Sequence, residues 1–216
     1  MPEVLAISFT WWLVSLSGVL MPGPVGALAV SEGARRGVSA GPLITAGHAV
    51  AEVAMLILLA VGLTNVLHQP VVIGAVGVLG GGVLAWMGWG IVVAAWRDLL
   101  DPPRGAATAG AGMSLMRAGL LSTVGNPYWL LWWLTVGTSY FIAFSRFGPL
   151  ALILLFYIGH VSLDLGWNTF LALVVGSGRG RVRRDVYRGV LGVCGVFVLA
   201  MSVYFVVSGV RFLRGL

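Results

Sequence analysis

The chain has 216 residues, of which 59% are hydrophobic and only 9% charged, with a mean hydropathy of +0.99. A soluble domain carries about 25% charged residues to keep its surface wet, so this composition excludes a water-soluble domain and describes a chain that faces lipid or other buried helices. The net charge of +6 comes entirely from arginine, and the loop positions of those arginines account for it without any nucleic-acid partner.

Six stretches meet the requirement of about 20 mostly apolar residues for crossing a bilayer core. They run over 5–30, 41–67, 70–96, 115–144, 148–175 and 187–212. No basic n-region follows Met1-Pro2-Glu3, so the first stretch is expected to be a retained helix, not a cleaved signal. Arg35-Arg36 marks the first gap, His68-Gln69-Pro70 the second, Arg146 the fourth, and Arg179, Arg181, Arg183 and Arg184 the fifth. The third gap, 97–114, holds Asp98, Asp101, Pro102-Pro103 and Arg104 and is the one true linker. Ten of the thirteen arginines fall in or beside the first, third and fifth gaps. The excess of positive charge on cytoplasmic loops therefore predicts those gaps in the cytoplasm and both termini outside.

Two of the six stretches are interrupted. Met21-Pro22-Gly23-Pro24 in the first and Gly125-Asn126-Pro127-Tyr128 in the fourth place proline within a span. Proline removes a backbone N–H and clashes with the preceding turn, so both helices should break there. Unwound backbone at membrane depth must be buried in protein or line a cavity.

The second and fifth stretches carry a matched polar pair. Gly47-His48 is followed by Glu52, and Gly159-His160 by Asp164, so each imidazole and carboxylate share a helix face at i, i+4 spacing. Thr45 extends the first patch and Asn168 the second. An acid inside a membrane costs about 2.5–3.5 kcal/mol on insertion scales, so such residues mark function more often than packing. In the third stretch Gly74, Gly77, Gly81, Ala85 and Gly88 form one small-residue stripe, read as a close helix–helix contact. Tyr128, Trp129, Trp132 and Trp133 follow the second break; Trp129 and Trp133, at i, i+4, are candidates for a cavity wall. Cys194, the single cysteine, reads as a small buried hydrophobe and leaves no intramolecular disulfide.

Break, polar pair and plain helix recur in the same order in 1–96 and 115–216. Three helices per half make the second half enter the membrane from the opposite side. The fold expected is therefore an all-α membrane protein, a single domain over 1–216, with six transmembrane helices as two inverted three-helix repeats joined by a cytoplasmic linker over 97–114. Secondary transporters of this kind bind their substrate near the midplane between the repeats.

Met21-Pro22-Gly23-Pro24-Val25, then Gly33-Ala34-Arg35-Arg36-Gly37, then Gly47-His48 resembles the LysE/RhtB family of amino-acid exporters, as does Gly125-Asn126-Pro127 with its aromatic tail. The resemblance covers about 5–213 and keeps the family's motif order. It implies a six-helix exporter of an amino acid or related metabolite, with site elements at Pro22, Gly23, Pro24, Asn126 and Pro127. Where many relatives carry Gly-x-x-x-Gly-Asp in the second helix, this chain has Gly-His and Glu52.

The function expected is proton-coupled export of a small zwitterionic or cationic metabolite. Unwound backbone at the two breaks would offer N–H groups to a carboxylate, with Trp129 and Trp133 beside it. Glu52 and Asp164 would take an ammonium group or the coupling proton, and His48, His160 and Asn168 would assist. The rival is a divalent-metal transporter ligated by the two His/acid pairs. No enzyme is expected, because no nucleophile–base pair, metalloprotease motif or phosphate loop occurs, and no cofactor is expected. Glycine and aromatic faces permit a homodimer.

Overall fold

The structure is a computed structural model that describes residues 2–21, 23–62, 69–97, 111–177 and 184–215. The described residues are helical throughout, apart from short turns between helices. Helix α1 (Pro2–Val19) and α2 (Pro24–Arg36) take up the first stretch, α3 (Ala40–Ala60) the second and α4 (Pro70–Trp96) the third. The fourth is divided into α5 (Ala111–Val124), α6 (Pro127–Trp132), a π-helical turn (Trp133–Gly137) and α7 (Thr138–Ser145). The fifth begins as α8 (Pro149–Ala151), widens into a second π-helical segment (Leu152–Ile158) and continues as α9 (Gly159–Ser177); α10 (Arg184–Arg214) is the last.

Five of these segments are long and apolar enough to cross a membrane: Pro2–Val19, Ala40–Ala60, Pro70–Val93, Pro149–Ser177 and Gly192–Arg214. The fourth stretch, expected as a span over 115–144 broken at its proline, is cut there at Gly125-Asn126; its first piece, α5, is only 14 residues long, and the stretch is not among the five spans. The cause is Pro127. It starts α6 at a position where a missing N–H costs nothing, and the Asn126 side chain caps that helix by accepting from Tyr128 N at 3.0 Å. Gly23 and Pro24 act likewise at the start of α2, with Gly23 extended at φ −153°. The second stretch, expected to reach residue 67, is helical to Ala60 and turns at Val61-Gly62, and residues 63–67 lie outside the described residues. His68, Arg104, Arg179, Arg181 and Arg183 lie outside the described residues.

Outward faces carry Trp86, Trp89, Leu79, Val193 and Val203, all more than half exposed. So much large apolar surface without interspersed charge suits lipid, not water, and the molecule is a multi-pass membrane protein.

Inside, glycine sets the helix spacing. The stripe on α4 meets α10 directly: Gly77 faces the backbone of Gly209, Gly81 faces Val206 and the Ser202 carbonyl, and Gly88 faces Leu199 and the Gly195 carbonyl. Arg188 fastens the same pair by donating from Nε to the Ala95 carbonyl at 3.0 Å, near the end of α4. A second glycine seam lies toward Arg35 and Arg36. Gly33 on α2 abuts Ala172 on α9, and Gly41 on α3 abuts Asn168 and Thr169. Gly47 on α3 abuts the Met116 carbonyl on α5, and Gly119 returns the contact to the Ile44 carbonyl. The α2–α3 turn itself needs glycine: Gly37 sits at φ 89°, and its N–H closes α2 on the Gly33 carbonyl at 2.8 Å.

Candidate functional site

The polar residues of α3 and α9 meet in the interior. His48, Glu52, His160, Asp164 and Asn168 are all buried, and Glu52 has no exposed surface at all. The pairing differs from the one that i, i+4 spacing suggests. The aligned hydrogen bond runs between helices, from His160 Nε2 to Glu52 Oε1 at 3.0 Å. Within helices the contacts are looser: His160 Nε2 is 3.5 Å from Asp164 Oδ2, and His48 Nε2 is 3.1 Å from Glu52 Oε1 but not aligned to hydrogen-bond it. His48 Nε2 also lies 3.7 Å from Asp164 Oδ2. Two expected pairs are thus one four-membered cluster centred on Glu52. One step deeper, Asn168 Nδ2 donates to Thr45 Oγ1 at 3.2 Å, joining the two polar patches across the same interface.

This cluster forms the floor of a cavity of about 440 Å³, within the range of small-molecule sites. Both helix breaks reach it: Gly23 and Pro24 from the first and Asn126 from the second line its wall. Trp129 and Trp133 line it too. Pro127 does not; it is buried beneath, as the first residue of α6. Pro22 lies outside the described residues.

Sequence reasoning passed over several contributors. Thr123, the penultimate residue of α5, touches His48 Nδ1 with Oγ1 at 2.8 Å. Trp132 stacks on the His160 ring at 5.3 Å between centroids, and Trp11 packs 5.2 Å from it. Tyr204 and Phe205 close the wall from α10. Of these, only the aromatic run around Trp132 left a signal in the sequence.

The π-helical segments were also unforeseen. They flank the aromatic wall, where Thr138 Oγ1 donates to the Trp133 carbonyl five residues back at 2.9 Å. The indoles of Trp11 and Trp12 donate to the carbonyls of Phe156 and Leu155 at 2.9 and 3.2 Å, so α1 is docked on the second π segment by its own tryptophans. Such widened turns concentrate at functional sites.

Arg35 and Arg36, read from sequence as markers of topology, also hold Glu32 on α2, Arg35 Nη1 at 2.9 Å from Glu32 Oε1. The remaining acid of this region is thereby occupied, and Glu52 and Asp164 are the carboxylates that line the cavity. Chemically the site can hold a cation between two carboxylates, or shuttle a proton among two imidazoles and two acids, under an aromatic roof.

Comparison with known proteins places this arrangement in context. An uncharacterized membrane protein of Pseudomonas aeruginosa, PA4757, is 28% identical over 163 residues, covering 74% of each chain. The "Putative amino acid efflux protein YcgF" of Bacillus subtilis is 22% identical over 211 residues, covering 97% of this chain and 99% of its own. No solved structure matches. The family of LysE type translocators matches residues 16–209, nearly the whole chain, and the protein belongs to that family of membrane transporters.

Proposed function

We propose that the protein is a secondary transporter that exports an amino acid or a related small metabolite across the cell membrane in exchange for protons. The observation that carries this reading is the buried His48–Glu52–His160–Asp164 cluster on the floor of a cavity reached by both helix breaks. Ionisable groups at membrane depth are costly and are retained where they bind or move charge. The described efflux relative from Bacillus subtilis supports an amino acid as cargo.

In this reading the substrate's ammonium group sits between Glu52 and Asp164, and its carboxylate meets the backbone N–H groups at the start of α2 and α6. Trp129 and Trp133 flank the side chain. His48 and His160 take up the coupling proton as substrate leaves the acids, since imidazole is the side chain whose ordinary pKa lies near neutrality. The chain crosses the membrane six times as two inverted repeats, with α1–α4 in one and α5–α10 in the other, and both termini lie outside. Pairing of α4 with α10, the last helix of each half, supports the repeat. The glycine seam near Arg35 and Arg36 is then the closed cytoplasmic gate, and export alternates it with closure of the opposite end.

One observation favours a rival: ligand atoms of His48, Glu52 and Asp164 all lie within 4.8 Å of one another, close enough for a divalent cation. A thermal-shift screen of detergent-purified protein against the common amino acids and divalent metals separates the two, with Glu52→Gln and Asp164→Asn alongside. A ligand at 100 times its dissociation constant adds about 2.7 kcal/mol to stability. An amino acid that stabilises the wild type and neither variant supports export of that compound; a metal that does so establishes the rival. In liposomes, Glu52→Gln is expected to lose the pH dependence of transport, and a variant that keeps it removes Glu52 from coupling.

A further inference from the structure

The His48 ring is held at Nδ1, and the hydrogen count on that side fixes the state of Nε2. Thr123 Oγ1 lies 2.8 Å from His48 Nδ1 and also 2.8 Å from the Gly119 carbonyl, four residues back on α5. A hydroxyl has one proton to give and lone pairs with which to accept. If that proton pointed at Nδ1, the Thr123 and Gly119 oxygens would meet lone pair to lone pair at 2.8 Å. If it points at the Gly119 carbonyl, Nδ1–H donates to Oγ1 and both short contacts become hydrogen bonds. A second observation agrees. Nε2 of this buried ring has no aligned acceptor, although carboxylate oxygens of Glu52 and Asp164 lie 3.1 and 3.7 Å away. A neutral ring with its proton on Nε2 would be expected to align on one of them.

We propose that Thr123 is a positioning residue that holds His48 as the Nδ1–H tautomer, so that Nε2 is the atom through which His48 exchanges its proton with Glu52 and Asp164. This rests on the proton-coupled reading above for its purpose, though not for its geometry. The other ionisable groups lining the cavity are His160 from α9 and the phenols of Tyr128 and Tyr204, while α2 and α5 bring none to its wall. No other side-chain partner of Nδ1 is present among the described residues, so Thr123 is what holds the proton on Nδ1 against the carboxylates near Nε2.

The placement of Thr123 gives the contact a mechanical meaning. Thr123 belongs to α5 and His48 to α3, and these two helices are in contact through Gly47 and Gly119. While that seam is closed, Nδ1 is engaged and Nε2 faces the acids. Parting α3 from α5 withdraws the hydroxyl and frees the ring to turn. The state of the gate is thereby tied to which carboxylate the proton can reach.

The test is nitrogen NMR on full-length protein carrying 15N-histidine, at a pH where the imidazoles are neutral, with the His48 signals assigned by their loss in a His48→Gln protein. Protonated and bare ring nitrogens give well-separated shifts, so the tautomer is read directly. Wild type and Thr123→Ser are expected to show Nδ1–H at His48. Thr123→Val, which keeps the shape but removes the acceptor, is expected to lose that tautomer in favour of Nε2–H. A wild-type His48 protonated at Nε2, or a Thr123→Val spectrum that still shows Nδ1–H, overturns the proposal. The wild-type spectrum stands even if Thr123→Val fails to fold. Loss of the proton-coupled reading appears separately, as Glu52→Gln transport with unchanged pH dependence beside an intact Nδ1–H spectrum.

Discussion

Alanine at Gly41 is a sharp test of the glycine seam, because two effects on it have opposite sign. In a helix alanine is favoured over glycine by up to about 1 kcal/mol, so a glycine with no packing role would gain stability from the change. At Gly41 the added Cβ would stand 2.6 Å from the Asn168 carbonyl oxygen and from Thr169 Cα, both on α9. Ordinary contact begins at 3.4 Å, so α3 and α9 must part locally by about 0.8 Å. Both obstacles are backbone, and no side-chain rotation relieves them. Overpacking of this kind costs about 1–3 kcal/mol, which shifts a two-state equilibrium about 5- to 150-fold. Thr45, 2% exposed and bonded to Asn168, reports on that interface. In a Thr45→Cys, Cys194→Ser background, Gly41→Ala is expected to raise the alkylation rate of the new thiol by that factor. Gly166→Ala is the control: it lies on the same helix α9 with nothing within 4 Å of its Cβ, and is expected to leave the rate unchanged. A folded Gly41→Ala protein that alkylates at the parent rate and melts no lower refutes the seam as a closed gate.

Three further outcomes follow, two from the site's framework and one from the outer face. Asn126→Ala removes the acceptor for Tyr128 N–H at the start of α6 and is expected to cost about 1 kcal/mol, read as a lower melting temperature in detergent, with Asn126→Ser recovering most of it. Trp133→Ala empties a fully buried site and is expected to cost about 3–5 kcal/mol. Trp86→Ala, at a residue 71% exposed on the outer face, is expected to leave the stability read from melting within about 0.5 kcal/mol of wild type.

The sequence by itself determined the lipid-facing class, the positions of the helices and the residues that carry polarity within them. Composition has one physical reading when charge is this scarce, and α4 runs over the residues, 70–96, that hydropathy assigns to the third stretch. Proline's missing N–H is a local fact, so the breaks before Pro24 and Pro127 were legible too. The stripe on α4 was legible as a packing face, although not its partner α10.

Only the tertiary structure decided which polar groups meet. Spacing along one helix pairs His48 with Glu52 and His160 with Asp164, yet the aligned bond is His160 to Glu52, residues 108 apart, because α3 and α9 pack closely enough at Gly41 to make one cluster. Thr123 is chemically ordinary in the sequence and becomes significant only because α5 lies against α3 at Gly47, which brings it to His48, 75 residues away along the chain. The π-helical turns left no trace in hydropathy, since a change of hydrogen-bond register from i+4 to i+5 alters no residue's polarity. Local chemistry is written residue by residue, whereas a hydrogen bond between distant helices depends on how near their backbones can come, and here glycine sets that distance.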